Sequence, residues 1–335
     1  MPFGEICGQE RPVAALRRAW AAGRLAQGYC FAGPPGVGKR TTALALAQAV
    51  NCLSPLREGA GAPDACGRCR ACVRIAAGQH PDVAVLTPPE DKTVITIEQV
   101  RDVAARAGMR AYEGFTPVWI LDPADRLSEE AANAFLKTLE EPTGTRLFIL
   151  VTATFTALLP TIRSRCQEVR FTPLDETHLR ALLERRGRDP GEAAAAAAAA
   201  GGSAERALDP DLADLREAQA RLVAEVWRAL DSVPGVLDQA ERLAKDKAAL
   251  ERGLEALLAF TREVAVARVA EADPALVSAE RRVEVDEIAG GISLNAVLEI
   301  HEAQREAQQA LAWRAQPRLT AERMLLRMRQ AVGKR

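Results

Sequence analysis

The sequence predicts an α/β fold with a doubly wound parallel sheet, followed by an all-helical part. Two observations carry this prediction. Short apolar runs alternate with helix-length segments as far as residue 172, and such runs stop after Pro173. A chain of 335 residues has room for two or three domains. We therefore expect an α/β domain at 1–172, a small helical segment at 173–208 and a larger helical domain at 209–335.

The apolar runs are the predicted strands, and three of them are uninterrupted, as is typical of strands buried on both faces of a parallel sheet. They lie at 29–32, 83–86, 118–121, 147–151 and 169–171. Helices are expected between them, including 40–49, 97–107 and 128–139. Ser128, followed by two glutamates, is a candidate N-cap.

The second half of the chain has helical patterning. Asp189-Pro190 resembles a helix start and Gly201-Gly202 a helix end, so the alanine run at 193–200 is interpreted as a short packed helix rather than low complexity. From 211 to 330, leucines recur at helical spacing. This favours a helical-bundle core, with the further interpretation that some apolar faces meet partner subunits.

Composition excludes some classes of protein. The 44 basic and 45 acidic residues give a formal charge of −1, which excludes a histone-type basic protein but not a local basic surface. Apolar stretches fall short of the roughly 18 residues that a membrane helix needs. The first residues lack a basic segment followed by an apolar one, so we expect no secretory signal, no membrane association and a cytoplasmic location.

A phosphate-binding loop follows the first predicted strand. The run Gly33-Pro34-Pro35-Gly36-Val37-Gly38-Lys39 stands between a strand and a helix, which is the context that the P-loop motif requires. Backbone N–H groups at Gly33, Gly36 and Gly38 and the ammonium of Lys39 would face phosphate oxygens. The loop therefore predicts a nucleotide site for ATP or ADP.

This nucleotide site departs from the motif at two positions. Arg40 stands where a Ser or Thr hydroxyl should ligate Mg²⁺, so either Thr41 replaces it or Mg²⁺ binding is weakened or lost. Asp122, at the end of a predicted strand, could support Mg²⁺, but Pro123 stands where a water-activating Glu is expected. Asp125 is expected to point elsewhere. These departures predict weak or absent ATP hydrolysis.

Four of the seven cysteines are clustered, whereas Cys7, Cys30 and Cys166 are isolated. The cluster is Cys52, Cys66, Cys69 and Cys72, within an insertion at 52–72. Four soft ligands near a short loop favour structural Zn²⁺ over disulfides or a redox role. An iron–sulfur run would need a cysteine at position 76, which is Ala76. His80 is interpreted as an ordinary loop residue, and Cys166 as a small packed residue.

The ordered motifs of the first 208 residues resemble bacterial clamp-loader subunits, the AAA+ proteins of the DNA polymerase III holoenzyme. The resemblance is weaker in the helical remainder. Its most specific match is Asn133-Ala-Phe-Leu-Lys-Thr-Leu-Glu-Glu-Pro142, joined by Gly8-Gln9-Glu10, the phosphate loop, Leu121-Asp-Pro-Ala-Asp125 and Ser164-Arg165-Cys166. It implies an AAA+ domain with a zinc module, a helical lid at 173–208 and an oligomerising collar at 209–335.

The resemblance also implies a role in replication. Motor subunits, called gamma or tau, hydrolyse ATP, whereas delta prime usually acts as a rigid stator. Arg40, Pro123 and Glu205, which stands where motors carry a nucleotide-sensing arginine, look like delta prime. Arg165 would then reach a neighbour's ATP, although an arginine after a predicted strand is otherwise an ordinary surface residue. The implied partners are gamma/tau and delta subunits, the sliding clamp and primed DNA.

Three hypotheses follow for function. The first is a non-hydrolysing clamp-loader stator that is part of a DNA polymerase holoenzyme without being an active ATPase. The second is a motor ATPase of the same complex that uses Lys39, Asp122 and Thr41. The third, a stand-alone helicase or remodeller, is weakened by the near-zero net charge and the helical C-terminal third. Arg40, Pro123 and Glu205 favour the first.

Overall fold

The computed structural model describes residues 1–56, 63–113, 116–140, 145–269, 282–312 and 315–333. Several predictions fall partly outside these residues: 57–62 of the cysteine insertion, Glu141 and Pro142 of the family motif, and 270–281, 313–314 and 334–335 of the helical part. The chain forms two compact units, Met1–Leu212 and Ala213–Arg335. The predicted division between a lid and a collar after residue 208 stays a prediction.

The first unit contains a five-stranded sheet whose strand pairs are all parallel, which confirms the predicted fold class. The spatial order is β2-β3-β4-β1-β5. The strands are β1 (Gly28–Ala32), β2 (Val83–Leu86), β3 (Val118–Leu121), β4 (Leu147–Thr152) and β5 (Gln167–Arg170). The last strand begins two residues earlier than predicted, because its polar residues Gln167 and Glu168 pair with Tyr29 and Cys30 at the sheet edge.

The first unit contains nine α-helices in its described residues, and the last three of them form a separate apolar cluster. The nine are α1 (Glu10–Ala21), α2 (Lys39–Asn51), α3 (Arg70–Ala76), α4 (Ile97–Ala107), α5 (Glu129–Glu140), α6 (Pro160–Arg163), α7 (Glu176–Arg185), α8 (Pro190–Ala199) and α9 (Ala204–Leu208). Ser128 caps α5 as predicted, since its hydroxyl accepts a hydrogen bond from the Ala131 N–H at 3.1 Å. One apolar cluster around Phe31 and Leu46 and another around Phe135 and Phe148 form the two sides of the core.

The alanine run forms a helix, as predicted. Asp189 accepts a hydrogen bond from the Gly191 N–H at 2.9 Å, Pro190 is the first helical residue, and Gly201 and Gly202 follow with positive φ. The small alanine side chains let α8 pack closely against α7, with Leu179 and Leu183 completely buried between them. The run is therefore a packing surface rather than a linker.

The second unit consists of helices in its described residues. They are α10 (Leu212–Ala229), α11 (Val233–Ala244), α12 (Lys247–Val269), α13 (Arg282–Gly291), α14 (Leu294–Ala312) and α15 (Pro317–Ala331). Its core gathers leucines and valines from these helices around Phe260. Gln304 is buried there and donates a hydrogen bond to Thr261 Oγ1 at 3.0 Å. Among the described helices, none has the length and apolar character that crossing a membrane requires.

Candidate functional site

The phosphate loop occupies residues 33–38, between the carboxyl end of β1 and the start of α2. Gly36 and Gly38 have φ angles of 73° and 94°, which side-chain-bearing residues rarely adopt. A Cβ at Gly36 would also clash with the Ser203 hydroxyl. Glycine is therefore required at position 36 by the backbone and by the segment that lies over it.

The Lys39 ammonium is turned onto the phosphate loop itself. The side chain is buried, and its Nζ donates hydrogen bonds to the carbonyl oxygens of Gly33 at 2.6 Å and Pro34 at 2.5 Å. Burial lowers the pKa of Lys39 more than three nearby carboxylates raise it. A phosphate group would have to replace these carbonyls as the partner of Lys39.

Arg40 and Asp122 meet at the edge of the sheet where the strands end. Asp122 directly follows β3, and the Arg40 Nη1 lies 3.6 Å from its Oδ2. Burial raises the pKa of the Asp122 carboxyl, and the charges of Arg40 and Lys39 offset part of this rise. The structure thus places the predicted residues Lys39 and Asp122 at one site, with a guanidinium beside the carboxylate that the motif assigns to Mg²⁺.

Candidate hydroxyl ligands lie one and two positions further along α2. Thr42 is fully buried, and its hydroxyl donates a hydrogen bond to the Gly38 carbonyl at 2.9 Å within the first turn of the helix. Thr41 is half-buried. Replacement of the missing hydroxyl by Thr41 stays a prediction.

The residue after Asp122 is Pro123, which cannot activate water. Asp125 lies in the 3-10 turn Ala124–Arg126 and is exposed. Its negative charge raises the pKa values of both Lys39 and Asp122. Asp125 therefore contributes negative potential to the site.

The start of α9 lies directly on the phosphate loop. The Ala204 N–H donates a hydrogen bond to the Gly36 carbonyl at 2.8 Å, and the Ser203 hydroxyl caps α9 by accepting from the Arg206 N–H at 3.3 Å. Glu205 is exposed, and its charge raises the pKa of Lys39. This acid weakens the attraction of the loop for phosphate.

Arg165 lies between α6 and β5 and is 38% exposed. Its Nη2 lies 2.6 Å from Glu140 Oε1, at the last residue of α5, and its Nη1 donates a hydrogen bond to the Thr161 carbonyl at 3.0 Å. One side of the guanidinium is thus held by its own domain, while part of the group reaches solvent. Sequence reasoning did not identify Glu140 as this partner, although both residues lie in the family motifs.

The four clustered cysteines come together, with their sulfur atoms all within 4.8 Å of one another. Cys52 Sγ and Cys69 Sγ are 3.9 Å apart, close to the about 3.8 Å expected for two thiolates on a tetrahedral Zn²⁺. The N–H groups of Cys66 and Cys69 donate to the sulfurs of Cys52 and Cys66, both at 3.3 Å. This donor set fits a closed four-thiolate metal site.

Asp64 attaches the cysteine cluster to the start of the chain. Its carboxylate accepts hydrogen bonds from the N–H groups of Phe3 at 3.0 Å and Gly4 at 2.8 Å, and from its neighbour Ala65 at 2.7 Å. The backbone of Asp64 also forms an antiparallel bridge with Leu56. Removal of a bound metal would therefore disturb the first residues of the chain as well as the insertion.

Comparison with known proteins decides the family. The family described as "DNA polymerase III, delta subunit" matches residues 8–175. The DNA polymerase III subunit delta' of Bacillus subtilis is 31% identical over 76% of this chain and 77% of its own length. This chain belongs to the DNA polymerase III delta prime family. The delta' subunit of Pseudomonas aeruginosa is more similar locally, with 43% identity over 42% of each chain.

This delta prime family member is also similar to gamma/tau and tau subunits. The DNA polymerase III subunit tau of Escherichia coli is 30% identical over 78% of this chain. That alignment spans only 40% of tau, whereas the Bacillus alignment spans 77% of the relative.

Two buried polar residues beside the phosphate loop were not among the site residues predicted from the sequence, although Gln9 stands in one of the family motifs. Gln9 is buried and donates hydrogen bonds to the carbonyls of Val37 at 3.1 Å and Thr172 at 2.7 Å, which joins the chain start to the phosphate loop. Thr152 is buried at the end of β4, and its carbonyl accepts a hydrogen bond from the Gly33 N–H at 3.3 Å. The signal for Thr152 was a polar residue that ends an apolar run.

The fold also tests the sequence interpretations of Cys166 and His80. Cys166 is buried against Cys30 in the apolar core, and burial raises the pKa of each thiol to about 12, so the packed-residue interpretation is confirmed. His80 is not an ordinary loop residue, because its side chain is completely buried. Its Nδ1 accepts a hydrogen bond from the Asp82 N–H at 3.2 Å, and its Nε2 lies 3.4 Å from Glu113 Oε2.

Proposed function

We propose that this chain is a delta prime-type clamp-loader subunit that does not hydrolyse ATP. In this role it assembles with gamma/tau and delta subunits in the cytoplasm and helps to load the sliding clamp onto primed DNA. Family membership supports the complex and its partners. The geometry of the phosphate loop supports the absence of hydrolysis.

The observation that carries this proposal is the ion pair between Arg40 and Asp122. It puts a fixed cation beside the carboxylate that would support Mg²⁺, while Pro123 removes the group that would activate water. Glu205 adds a negative charge where a nucleotide would need a positive one. Each change removes a different requirement of hydrolysis, so restoring one of them would not restore the reaction.

Arg165 is the group through which this chain would act on a neighbour. In a ring of subunits, an arginine at the edge of one domain can reach the γ-phosphate bound by the next and stabilise the charge of the transition state. The exposed part of its guanidinium is available for this task, while Glu140 Oε1 holds its Nη2 at 2.6 Å. The planar, permanently charged guanidinium suits phosphate oxygens better than a lysine would.

We propose Zn²⁺ as the resident metal of the cysteine cluster, where it has a structural role. Cys52, Cys66, Cys69 and Cys72 would hold it as thiolates, with no position left open for a substrate. Cys52 directly follows α2, Cys69 precedes α3 and Cys72 lies within α3, so the cluster is at the opposite end of α2 from Lys39 and Arg40.

A gamma/tau-like motor ATPase is the alternative, and the intact glycines of the phosphate loop with Lys39 favour it. In that case Thr41 would supply the hydroxyl ligand and Asp122 would support Mg²⁺. The similarity to tau is consistent with this alternative. The two proposals differ in a quantity that is simple to measure, the ATPase rate of the purified chain.

The purified chain alone should show no ATPase activity above that of its Lys39→Ala variant, because Lys39 is needed by any P-loop ATPase. The measurement is a steady-state phosphate-release assay with Mg²⁺ at saturating ATP. Lys245→Ala, at an exposed position directly after α11, is the control for loss of a lysine elsewhere. Turnover that Lys39→Ala abolishes and Lys245→Ala preserves would establish the motor alternative.

A further inference from the structure

The nucleotide site of this chain lacks a place for Mg²⁺, and the group that fills that place is known from the structure. A P-loop site that uses Mg²⁺ holds the ion between a hydroxyl directly after the lysine and a carboxylate at a strand end. Here the first position is Arg40 and the second is Asp122, and the two side chains form an ion pair at 3.6 Å. The residues present therefore do not fit the ion.

The surroundings of Asp122 are a second reason why Mg²⁺ does not fit this site. Its side chain is only 17% exposed, and the guanidinium of Arg40 is the cation that contacts it. A divalent cation would have to displace this guanidinium and would then lie next to it at close range, where like charges repel strongly in a partly buried site. Thr42, the buried threonine of the first turn, already donates its hydroxyl hydrogen to Gly38.

The elements of a phosphate loop are retained. Gly36 and Gly38 have the left-handed backbone that such a loop needs, and the Lys39 ammonium lies on the carbonyls of Gly33 and Pro34, which a phosphate would replace as its partners. Arg40 is 54% exposed, so most of its five N–H donors remain available after one nitrogen contacts Asp122. A guanidinium can bind a carboxylate at one edge and phosphate oxygens at another.

We propose that this site takes the phosphates of a nucleoside diphosphate or triphosphate without a divalent cation, with the Arg40 guanidinium in place of Mg²⁺. One positive charge replaces two, while Asp125 and Glu205 keep the surroundings acidic. Binding is therefore weaker than at a Mg²⁺-dependent P-loop, and a diphosphate is favoured over a triphosphate because it brings less negative charge. The bound nucleotide is a structural ligand.

The test is calorimetric titration of the full chain with ADP, with and without Mg²⁺. The Mg²⁺-free buffer is depleted of divalent ions by a resin, and no chelator is added, so that the cysteine cluster keeps its metal. We expect the dissociation constants in the two buffers to agree within about twofold. Tightening by about tenfold or more with Mg²⁺ would overturn the proposal, and so would the absence of ADP binding in both buffers.

A second experiment replaces Arg40 with threonine. Arg40→Thr restores the hydroxyl and frees Asp122, so ADP binding by this variant should become tighter with Mg²⁺ by about tenfold or more. Mn²⁺ used as a spin probe should bind to the variant with ADP and not to the original chain. Arg106→Thr, at an exposed position of α4, is the matched control and should behave like the original chain. Arg40→Thr that shows Mg²⁺-independent binding would contradict the assigned role of Arg40.

This inference rests on the proposed nucleotide site and does not involve Arg165. The calorimetric titration measures position 40 in the chain alone, whereas the action of Arg165 is measured in an assembled loader. Failure of one therefore leaves the other standing.

Discussion

Arg165→Ala should lower ATP hydrolysis at the neighbouring motor site of an assembled clamp loader by about 10³-fold. In Ser164-Arg165-Cys166, the Arg165 guanidinium is the one group that carries a fixed positive charge, and it is partly exposed between α6 and β5. Alanine removes this charge, and with it the stabilisation of the γ-phosphate in the transition state. The total rate of the loader should fall by at least the share of that one site.

Lys39→Ala in the same assembly is the variant that separates a stator from a motor. If the chain does not hydrolyse ATP, losing Lys39 should change the loader's rate much less than losing Arg165. Arg170→Ala is a matched arginine control, because Arg170 is exposed on β5 and pairs with Glu168 at 2.8 Å. Complex formation, measured by light scattering after size-exclusion chromatography, should be unchanged in all three variants. A larger effect of Lys39→Ala would support a motor.

Cys69→Ser should release the metal and lower the thermal unfolding midpoint of the first unit. Four thiolates would hold the proposed ion, and structural zinc sites in small peptides contribute about 10–16 kcal/mol of binding free energy. The loss of one ligand should therefore leave a site of far lower affinity. Elemental analysis should find about one zinc per original chain and much less in the variant.

The matched control for this substitution is Cys7→Ser, because Cys7 lies outside the cluster and is half-buried. It should keep the metal and the unfolding midpoint of the original chain. Iron with visible absorbance in freshly purified protein would replace the zinc site with an iron–sulfur cluster. A metal-free protein from chelator-free purification would contradict the proposed metal altogether.

Much of the fold could be predicted because local patterns dominate in a buried parallel sheet. The runs at 83–86 and 118–121 coincide with β2 and β3, since both strands are bounded by polar or turn-forming residues. The helix at 97–107 also coincides with α4, whose start is fixed by a capping box between Thr96 and Gln99. Strand β5 was the least accurate, because it begins with the polar residues Gln167 and Glu168 and Val169 is its one buried residue, so it carries little apolar signal.

The candidate site was predictable where a motif is continuous in sequence, as in the phosphate loop and the cysteine cluster. Contacts between segments that are distant in sequence could not be predicted. Thr152 becomes part of the site because β4 lies between β1 and β3, and strand order cannot be read from local patterns. The bond from Gln9 to Thr172 joins residues 163 positions apart. Neither contact leaves a periodic signal in the sequence.

The same reason explains why the partners of the two key arginines were missed. Arg40 was recognised as a departure from the motif, but its pairing with Asp122 requires two strand ends to lie at one edge. The partner of Arg165 is Glu140, the last residue of α5. Residue type predicted that each arginine would matter, and only the fold shows which carboxylate each one contacts.

The central claim is that this chain completes a neighbour's site while its own site is inactive. The most direct test is a clamp loader in which the phosphate-loop lysine of every motor subunit is replaced by alanine and this chain is left unchanged. We predict that this assembly has no ATPase activity, because every competent site has been removed. Residual hydrolysis that disappears when Lys39→Ala is introduced into this chain would contradict the account.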